Sequence, residues 1–281
     1  MKKIIYIMSS NFSGSHFLSL MLGSHSRFQH IGEIKWLRKI GTDSARSLCG
    51  FCQGHERCPV LSGISPENVD NVYDLIFSNV GPDIDGLIDT SKKIFWAEKF
   101  LTDQRYEKKF IHLVRDPRAL VRRWFLDENR SIIRERLKLV RHSGRNLRKA
   151  LLGDILDIYV GKWLRQNQTI IDFIAKNQLD VYNVTYHDLV KHEEQALTNL
   201  IEWLGCSYEP GQADYWNFIH HGSTKSEYEW VNQKKIKHFD CRWKEFLSED
   251  QKQRVVSNDG VKNLLQQLGV AMVDDGLTKY V

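Results

Sequence analysis

Short apolar runs separated by polar turns dominate the hydrophobic pattern of this chain. Residues 3–8 (KIIYIM), 110–114 (FIHLV) and 181–186 (VYNVTY) combine β-branched and aromatic side chains, and residues 86–89 (GLID) end a shorter run of the same kind. Apolar runs of this length, bounded by polar or small residues, predict strands that are buried on both faces.

Helical patterns occupy the intervals between these strands. The segment after Gly14 (SHFLSLML) predicts a helix that runs to about Leu22, where the next residue, a glycine, stops it. Further helical patterns begin at Ala119 and cover residues 193–204. Because strands and helices alternate, we expect a three-layer αβα sandwich around a mainly parallel sheet.

The order of these elements predicts a single domain over residues 1–281. Neither an internal repeat nor a low-complexity linker interrupts the sequence, and its length suits one large domain. Within that domain, the strands at residues 3–8 and 110–114 should be parallel to each other.

Composition narrows the class of protein. Hydrophobic residues make up 42% and charged residues 27% of the chain, and the mean hydropathy of −0.43 excludes a membrane bundle. The longest apolar stretch near the N-terminus, residues 4–8, is too short for a signal-peptide core or a membrane span, so we expect a cytoplasmic protein. Five cysteines without an export signal predict thiols rather than a disulfide framework.

The net charge is mildly positive. Lys and Arg total 40 against 35 Asp and Glu, which gives +5. This balance suits a chain that binds an anion, whereas proteins that bind nucleic acid usually show a stronger bias. We therefore expect no nucleic-acid partner.

A run of small and polar residues, SSNFSGSHF at residues 9–17, joins the first strand to the first helix. Backbone N–H groups at a helix N-terminus favour anions, small residues let an anion approach, and Ser13 and Ser15 add hydroxyl donors. The loop is not a Walker A motif, because no lysine stands beside Gly14. The alternative is an ordinary strand-to-helix turn with a serine cap.

A basic segment, RDPRALVRRW at residues 115–124, follows the strand at residues 110–114. Arg115 is expected at the carboxyl edge of the sheet, where α/β proteins bind ligands, and Arg123 lies about two helical turns further on. A guanidinium group there can hold a phosphate in a bidentate manner. Taken alone, the segment is also consistent with a capped helix that has Asp116 near its positive end.

Together, the two motifs resemble those of the sulfotransferase superfamily, which uses 3′-phosphoadenosine 5′-phosphosulfate (PAPS). SGSHF resembles the turn that holds the 5′-phosphosulfate, and VRDPRALVRRW resembles the strand end and helix that hold the 3′-phosphate. IDTSKK at residues 88–93 is similar to the DSSK segment of carbohydrate-type and bacterial members. TYHDLV at residues 185–190 is similar to the family's Tyr-Glu-Asp-Leu strand end, and order and spacing agree for all four segments.

The resemblance implies a P-loop-like sulfotransferase fold, PAPS as the sulfuryl donor, a hydroxyl-bearing acceptor and a reaction that requires no metal. It assigns no residue to a metal. The residues that it implies for donor binding lie in the loop with the start of the first helix and in the basic segment: Ser13, Gly14, Ser15, His16 and Phe17, and Arg115 and Arg123.

The sequence departs from the family pattern at two positions. Many members carry Lys or Arg immediately before the Ser-Gly of the first loop, where this chain has Phe12. Lys92 or Lys93, at the end of the second predicted strand, is expected to supply the missing positive charge. Arg123 stands where the family usually has Ser, and a second guanidinium can still hold the 3′-phosphate.

Glu33, which follows the first helix, is the candidate catalytic base. Several sulfotransferases place a catalytic Glu there, and an acceptor hydroxyl must lose its proton as it attacks sulfur. We expect partial burial to raise the pKa of Glu33 toward a useful value. His16 and His30 are rival bases, Lys92 is the expected partner of the leaving group, and a helix-capping glutamate is the alternative role for Glu33.

Cysteines cluster in the segment CGFCQGHERC, which contains Cys49, Cys52, His55 and Cys58. Thiolates and an imidazole can form a tetrahedral zinc site. The spacing differs from the paired knuckles of common zinc sites, so the sequence favours a reduced structural cluster and leaves zinc as the alternative.

Residues 130–149 carry eight Lys or Arg against one Glu, with apolar residues at helical spacing. A solvated amphipathic helix is the simplest interpretation. The alternatives are a cationic wall over the active site, which would select an acidic carbohydrate acceptor, and contact with a membrane surface.

These features favour a PAPS-dependent sulfotransferase over two other functions. A P-loop kinase would need a phosphate-bridging lysine in the loop and a magnesium-binding pair, and the sequence shows neither clearly. A non-catalytic nucleotide-binding module is the third hypothesis, because Phe12 and Arg123 depart from the family pattern.

Overall fold

A computed structural model describes residues 1–39, 49–52, 58–126, 130–142, 152–223, 228, 231 and 239–280. Five parallel strands form its central sheet in the order β2-β3-β1-β4-β5. They are β1 (Lys3–Ser9), β2 (Phe28–Gly32), β3 (Gly86–Asp89), β4 (Glu107–Val114) and β5 (Val181–Thr185).

The remaining elements are mostly helical. The helices are α1 (Ser15–Leu22), α2 (Val72–Val80), α3 (Ile94–Glu98), α4 (Pro117–Leu126), α5 (Arg130–His142), α6 (Ile155–Lys176), α7 (Tyr186–Lys191), α8 (Glu193–Trp203), α9 (Trp243–Phe246), α10 (Glu249–Val256) and α11 (Asp259–Leu268). Three 3-10 helices cover Ile34–Lys39, Pro66–Asn71 and Tyr215–Asn217, and β6 (Ala271–Met272) pairs with β7 (Leu277–Thr278) in an antiparallel hairpin.

The central strand β1 is covered on both faces. Ile4, Tyr6 and Met8 face one apolar cluster, which contains residues of α2, α3 and the C-terminal half of α6. Ile5 and Ile7 face another, which contains residues of α1 and α8. Because successive side chains of a strand point to opposite faces, this alternation confirms the predicted three-layer sandwich.

The predicted strands and their orientation are confirmed, and their bounds shift slightly. β1 and β4 are parallel, with Lys3 opposite Glu107 and Ser9 opposite Leu113. α1 ends at Leu22, as expected. β5 ends one residue before the predicted limit, because Tyr186 begins α7.

One strand of the central sheet, β2, and the short strands β6 and β7 were not predicted. β2 is an edge strand that pairs with β3, and its register shifts between His30 and Gly32. Its sequence, FQHIG, contains a single β-branched residue and neither alternates nor forms an apolar run, so the pattern gave no strand signal.

None of the described helices is both long and apolar enough to cross a lipid bilayer.

Candidate active site

A cleft of about 800 Å³ opens where β1 to β5 end. The strands next to β1 are β3 on one side and β4 on the other, so the order of the sheet reverses there, and ligands of open α/β sheets bind at such a point. The cleft is lined by Asn11, Phe12, Gly14, Ser15, His16, Phe17, Glu33, Lys35, Trp36, Lys92, Lys93, Arg115, Arg123, Tyr186, Val190, Tyr215, Asp240 and Arg242.

The loop between β1 and α1 forms one wall. Gly14 has a φ of +95°, and a Cβ placed on it would lie 2.8 Å from the ring of Tyr186, so this position requires glycine. The first hydrogen bond of α1 runs from Leu18 N to Gly14 O at 3.0 Å. The N–H groups of the first helical turn therefore have no intrahelical acceptor and can bind an anion.

Ser13 lies in this loop but does not line the cleft. Its side chain is buried, and its Oγ makes no hydrogen bond to any described residue. The same holds for Ser10 Oγ. Two buried hydroxyls beside the loop thus remain without an acceptor or donor in the described part of the chain.

Glu33 is the centre of a polar cluster in the cleft. Its Oε1 lies 2.7 Å from Lys92 Nζ and 3.3 Å from His16 Nε2, which itself lies 3.3 Å from Lys92 Nζ. Its Oε2 pairs with Lys35 Nζ and accepts a hydrogen bond of 2.8 Å from Trp36 Nε1. The three predicted catalytic side chains, Glu33, Lys92 and His16, are thus in mutual contact.

The expectation that the pKa of Glu33 is raised is wrong. Burial does act to raise it, but the hydrogen bond with His16 and the positive charges of Lys92 and Lys35 outweigh burial and hold the pKa well below its usual range. Burial also lowers the pKa of Lys35, and Glu33 opposes part of that shift. The carboxylate is therefore ionised and neutralises two lysines.

Hydrogen bonds to Asp89, the last residue of β3, fix the backbone just before Lys92. Asp89 is buried and accepts hydrogen bonds from Ser91 N at 2.7 Å, Tyr73 OH at 2.7 Å and Trp96 Nε1 at 2.8 Å. Lys92 itself has a φ of +59°. Its side chain is 7% exposed, whereas Lys93 is an exposed residue, so Lys92 is the lysine that reaches Glu33.

Arg115 lines the cleft and is held by its own set of contacts. Its Nη1 donates to Phe12 O at 2.7 Å, and its Nη2 donates to Asp240 Oδ2 at 2.8 Å. The guanidinium stacks 4.3 Å from the ring centroid of Tyr186, and its Nε is buried with no acceptor among the described residues. Burial raises the pKa of Asp240, but Arg242 and Arg115 outweigh it and lower that pKa to about 2.

Arg123 also lines the cleft, on the exposed side of α4. Its guanidinium carbon lies 4.5 Å from the ring centroid of Phe12. Phe12 has a φ of +69° and is 43% exposed. The family resemblance predicts Lys or Arg at the position of Phe12. In this chain the ring of Phe12 packs against the guanidinium of Arg123 instead.

Five residues that line the cleft were not singled out by the sequence: Lys35, Trp36, Tyr215, Asp240 and Arg242. Lys35 and Trp36 follow Glu33 directly, so their proximity to it was a usable signal. Asp240 and Arg242 are more than 100 residues from Arg115 in the chain, and no local pattern predicts that pairing.

Some predicted candidates do not reach the cleft or cannot be placed. His30 is fully buried within β2 and does not line the cleft, so the structure does not favour it as a rival base. Helix α5 confirms the helical part of the basic segment, but none of its described residues lines the cleft. His55 and residues 143–149 lie outside the described part of the chain.

Comparison with known proteins defines the class to which this fold and cleft belong. Residues 5–210 match the model of the sulfotransferase family, so the chain belongs to that family. No curated protein sequence matches the chain.

Solved structures of sulfotransferases are similar to this chain. The sulfotransferase domain from the curacin biosynthetic pathway is 17% identical, with a TM-score of 0.52 over 97% of this chain and 99% of that one. The sulfotransferase domain from the Synechococcus PCC 7002 olefin synthase is 17% identical, with a TM-score of 0.49 over 92% and 95%. Mouse sulfotransferase SULT7A1, solved with PAP, is 12% identical, with a TM-score of 0.47 over 96% and 85%.

Proposed function

We propose that this chain transfers a sulfuryl group from PAPS to a hydroxyl group of an acceptor. The observation that carries the proposal is the charge of the cleft. Its lining contains six Lys or Arg side chains and two carboxylates, and it includes the first turn of α1. Such a surface favours a ligand with several negative charges, and a nucleotide with a 3′-phosphate and a 5′-phosphosulfate is one.

Two groups of lining residues suit the two charged groups of that nucleotide. Arg115 has a buried Nε without an acceptor among the described residues, and Arg123 is exposed nearby in the lining; we assign both to the 3′-phosphate. The N–H groups of Ser15, His16 and Phe17 and the amine of Lys92 are assigned to the 5′-phosphosulfate.

Glu33 and Lys92 are assigned complementary roles. The bound donor supplies an activated sulfuryl group whose departure leaves negative charge on a phosphate oxygen. Lys92 neutralises that charge, and its attraction to phosphate weakens its pairing with Glu33. Loss of that neighbouring cation raises the pKa of Glu33, so that the carboxylate can accept the proton of the acceptor hydroxyl. His16 hydrogen-bonds to Glu33 and orients it.

The kinase alternative has less support from the cleft. A magnesium ion that bridges phosphates is held by carboxylates that are free to coordinate it. Among the described lining residues, the only carboxylates are Glu33 and Asp240, and each already pairs with two cations. A module that only binds the nucleotide would not need the contact among Glu33, Lys92 and His16. This contact therefore favours an enzyme over a non-catalytic module.

Calorimetric titration of the full chain tests the donor assignment. We expect adenosine 3′,5′-bisphosphate (PAP) to bind with the same affinity in the presence and absence of magnesium. Adenosine 5′-monophosphate, which lacks the 3′-phosphate, should bind more weakly. Tighter binding of ATP with magnesium than of PAP would favour the kinase instead.

Some of the residues that line the cleft suit an acidic carbohydrate as the acceptor. Trp36 is 41% exposed beside Glu33 and offers an aromatic face, on which a sugar ring can stack. Lys93 is exposed in the same cleft, and its positive charge would favour a carboxylate or sulfate on the acceptor. We therefore propose uronic or sulfated sugars as the first acceptors to test.

A further inference from the structure

Three cysteines and one histidine converge on a point outside the cleft. Cys49, Cys52 and Cys58 each place a sulfur near Nδ1 of His221, at 3.9, 3.5 and 3.6 Å respectively. The four potential ligand atoms all lie within 4.8 Å of one another. Three sulfurs and one nitrogen thus surround a common centre.

These distances match the edges of a metal-centred tetrahedron. Zinc binds thiolate sulfur at about 2.3 Å and imidazole nitrogen at about 2.0–2.1 Å, so a tetrahedral site has sulfur–nitrogen edges of about 3.6 Å. The observed separations of 3.5 to 3.9 Å bracket that value. A disulfide would use only two of the sulfurs and would leave the third thiol and the imidazole without a role.

The surroundings suit a closed structural site. Cys49 and Cys58 are buried. The backbone N–H of Leu61 points at Cys58 Sγ, 3.3 Å away, and such N–H groups stabilise the negative charge of a coordinating thiolate. Four protein ligands fill a tetrahedral shell and leave no open position for chemistry.

The cluster joins two distant parts of the chain. His221 lies 163 residues after Cys58, and Gly50 N donates to Gly222 O at 2.8 Å beside the cluster. Ser223 N donates to Ile31 O at 3.1 Å, and a Cβ on Gly32 would lie 2.5 Å from Ser223 N. The segment that carries His221 therefore packs directly on the end of β2, one residue before Glu33.

We propose that Cys49, Cys52, Cys58 and His221 bind one structural zinc ion. Soft thiolates with one imidazole select zinc among the common divalent metals. The ion joins Cys49, Cys52 and Cys58 to His221 and so supports the contact of Ser223 with the end of β2, next to Glu33. None of the four ligands lines the cleft, so the metal is separate from the proposed sulfuryl transfer.

The test measures metal content rather than activity. The full chain is produced with zinc in the medium, purified without chelators, and analysed by mass spectrometry for metal per chain, with circular dichroism as the check on folding. We expect about one zinc per chain in the wild type. We also expect cobalt(II) to replace the zinc and to give the intense visible absorption of a tetrahedral thiolate site.

Variants locate the ion. Cys58→Ser should lose the zinc, His221→Cys should keep it because a fourth thiolate replaces the imidazole, and Cys206→Ser is the matched control outside the cluster. Folded wild-type protein without stoichiometric zinc would overturn the proposal, as would a folded Cys58→Ser variant with wild-type zinc content. If Cys58→Ser does not fold, the wild-type metal content and His221→Cys decide the question.

Discussion

Glu33 forms ion pairs with two lysines, and these pairs oppose its role as a base for the acceptor hydroxyl. Its two oxygens pair separately, with Lys92 on Oε1 and Lys35 on Oε2, and these charges keep it ionised in the free protein. A carboxylate with so low a pKa is a weak base. His16, Lys92 and Lys35 all lower its pKa, and of these Lys92 is the group that we expect the donor to draw away. Donor binding and proton abstraction are therefore coupled through Lys92.

Replacement of Glu33 separates proton abstraction from donor binding. We expect Glu33→Gln to lower kcat by about 10²–10⁴-fold, the usual contribution of a positioned base, while the affinity for PAP stays within about threefold. Steady-state kinetics and calorimetry measure the two quantities, and Glu209→Gln, a carboxamide substitution outside the cleft, is the control. Normal turnover by Glu33→Gln would remove it as the base.

Arg115 is expected to contribute mainly to binding. Its contacts with Phe12 O and Asp240 hold the guanidinium in a fixed orientation. Loss of its charged hydrogen bonds in Arg115→Ala should weaken PAP binding by about 2–4 kcal/mol. Calorimetry measures the loss, and Arg254→Ala, which removes an arginine outside the cleft, should bind PAP normally. Equal affinity in wild type and Arg115→Ala would place the 3′-phosphate elsewhere.

At the scale of elements, β4 and α6 together position the backbone of Arg115. His112 of β4 contacts Asn167 Oδ1 at 3.1 Å, Asn167 Nδ2 donates to Trp163 O at 2.9 Å, and Trp163 Nε1 donates to Arg115 O at 2.9 Å. Burial lowers the pKa of His112 to about 4, although its contact with Asn167 opposes the shift. His112 is therefore neutral in the folded protein at neutral pH.

This neutral histidine predicts an acid-sensitive fold. An unfolded histidine takes up a proton below pH ~6.5, whereas folded His112 does so only near pH 4, so stability falls as the pH drops between these values. The full loss from His112 is about 3 kcal/mol. Urea unfolding from pH 7 to 4 should show this slope, and His112→Gln should reduce it while the control His192→Gln does not. An unchanged slope in His112→Gln would contradict the assignment.

The sequence predicted the central-sheet strands that contain a run of apolar or β-branched residues and missed β2, which contains no such run. β1 and the second part of β4, residues 110–114, are buried, and β5 contains Val181, Val184 and Thr185, so their residue patterns identify them. β2 becomes a strand because β3 offers it a hydrogen-bonding edge, and such tertiary pairing leaves no periodic signal in the chain.

The candidate site could be predicted from the sequence only in part. Lys92 and Arg115 each follow a predicted strand of one parallel sheet, so their convergence at one edge could be expected. Glu33 follows β2, which gave no strand signal, and only the family resemblance pointed to it. The ion pair of Arg115 with Asp240 and the cluster of His221 with Cys58 join residues far apart in sequence, and only the folded chain reveals them. The pKa of Glu33 is lowered because His16, Lys92 and Lys35 all contact its carboxylate, and the sequence alone did not show that their combined effect outweighs burial.

In the whole molecule, single helices and strands contribute residues to more than one of the three apolar clusters. Helix α6 contributes Trp163 to one cluster and Phe173 to another, and β1 contributes Tyr6 and Ile7 to two different clusters. Because one element cannot unfold without exposing two cores, we expect a single cooperative transition for this chain, as for one domain. Differential scanning calorimetry measures it, and two separated transitions would contradict the single domain.

Transfer of labelled sulfur tests directly whether this chain is a PAPS-dependent sulfotransferase. The full chain is incubated with PAPS labelled at sulfur and a pool of uronic, sulfated and neutral sugars with simple phenols, and label on each acceptor is separated by chromatography. We predict label on a hydroxyl compound, formed without magnesium and reduced about 10²–10⁴-fold in Glu33→Gln. Transfer of phosphate from ATP to the same pool, or tight PAP binding with no sulfur transferred to any of these acceptors, would contradict the account.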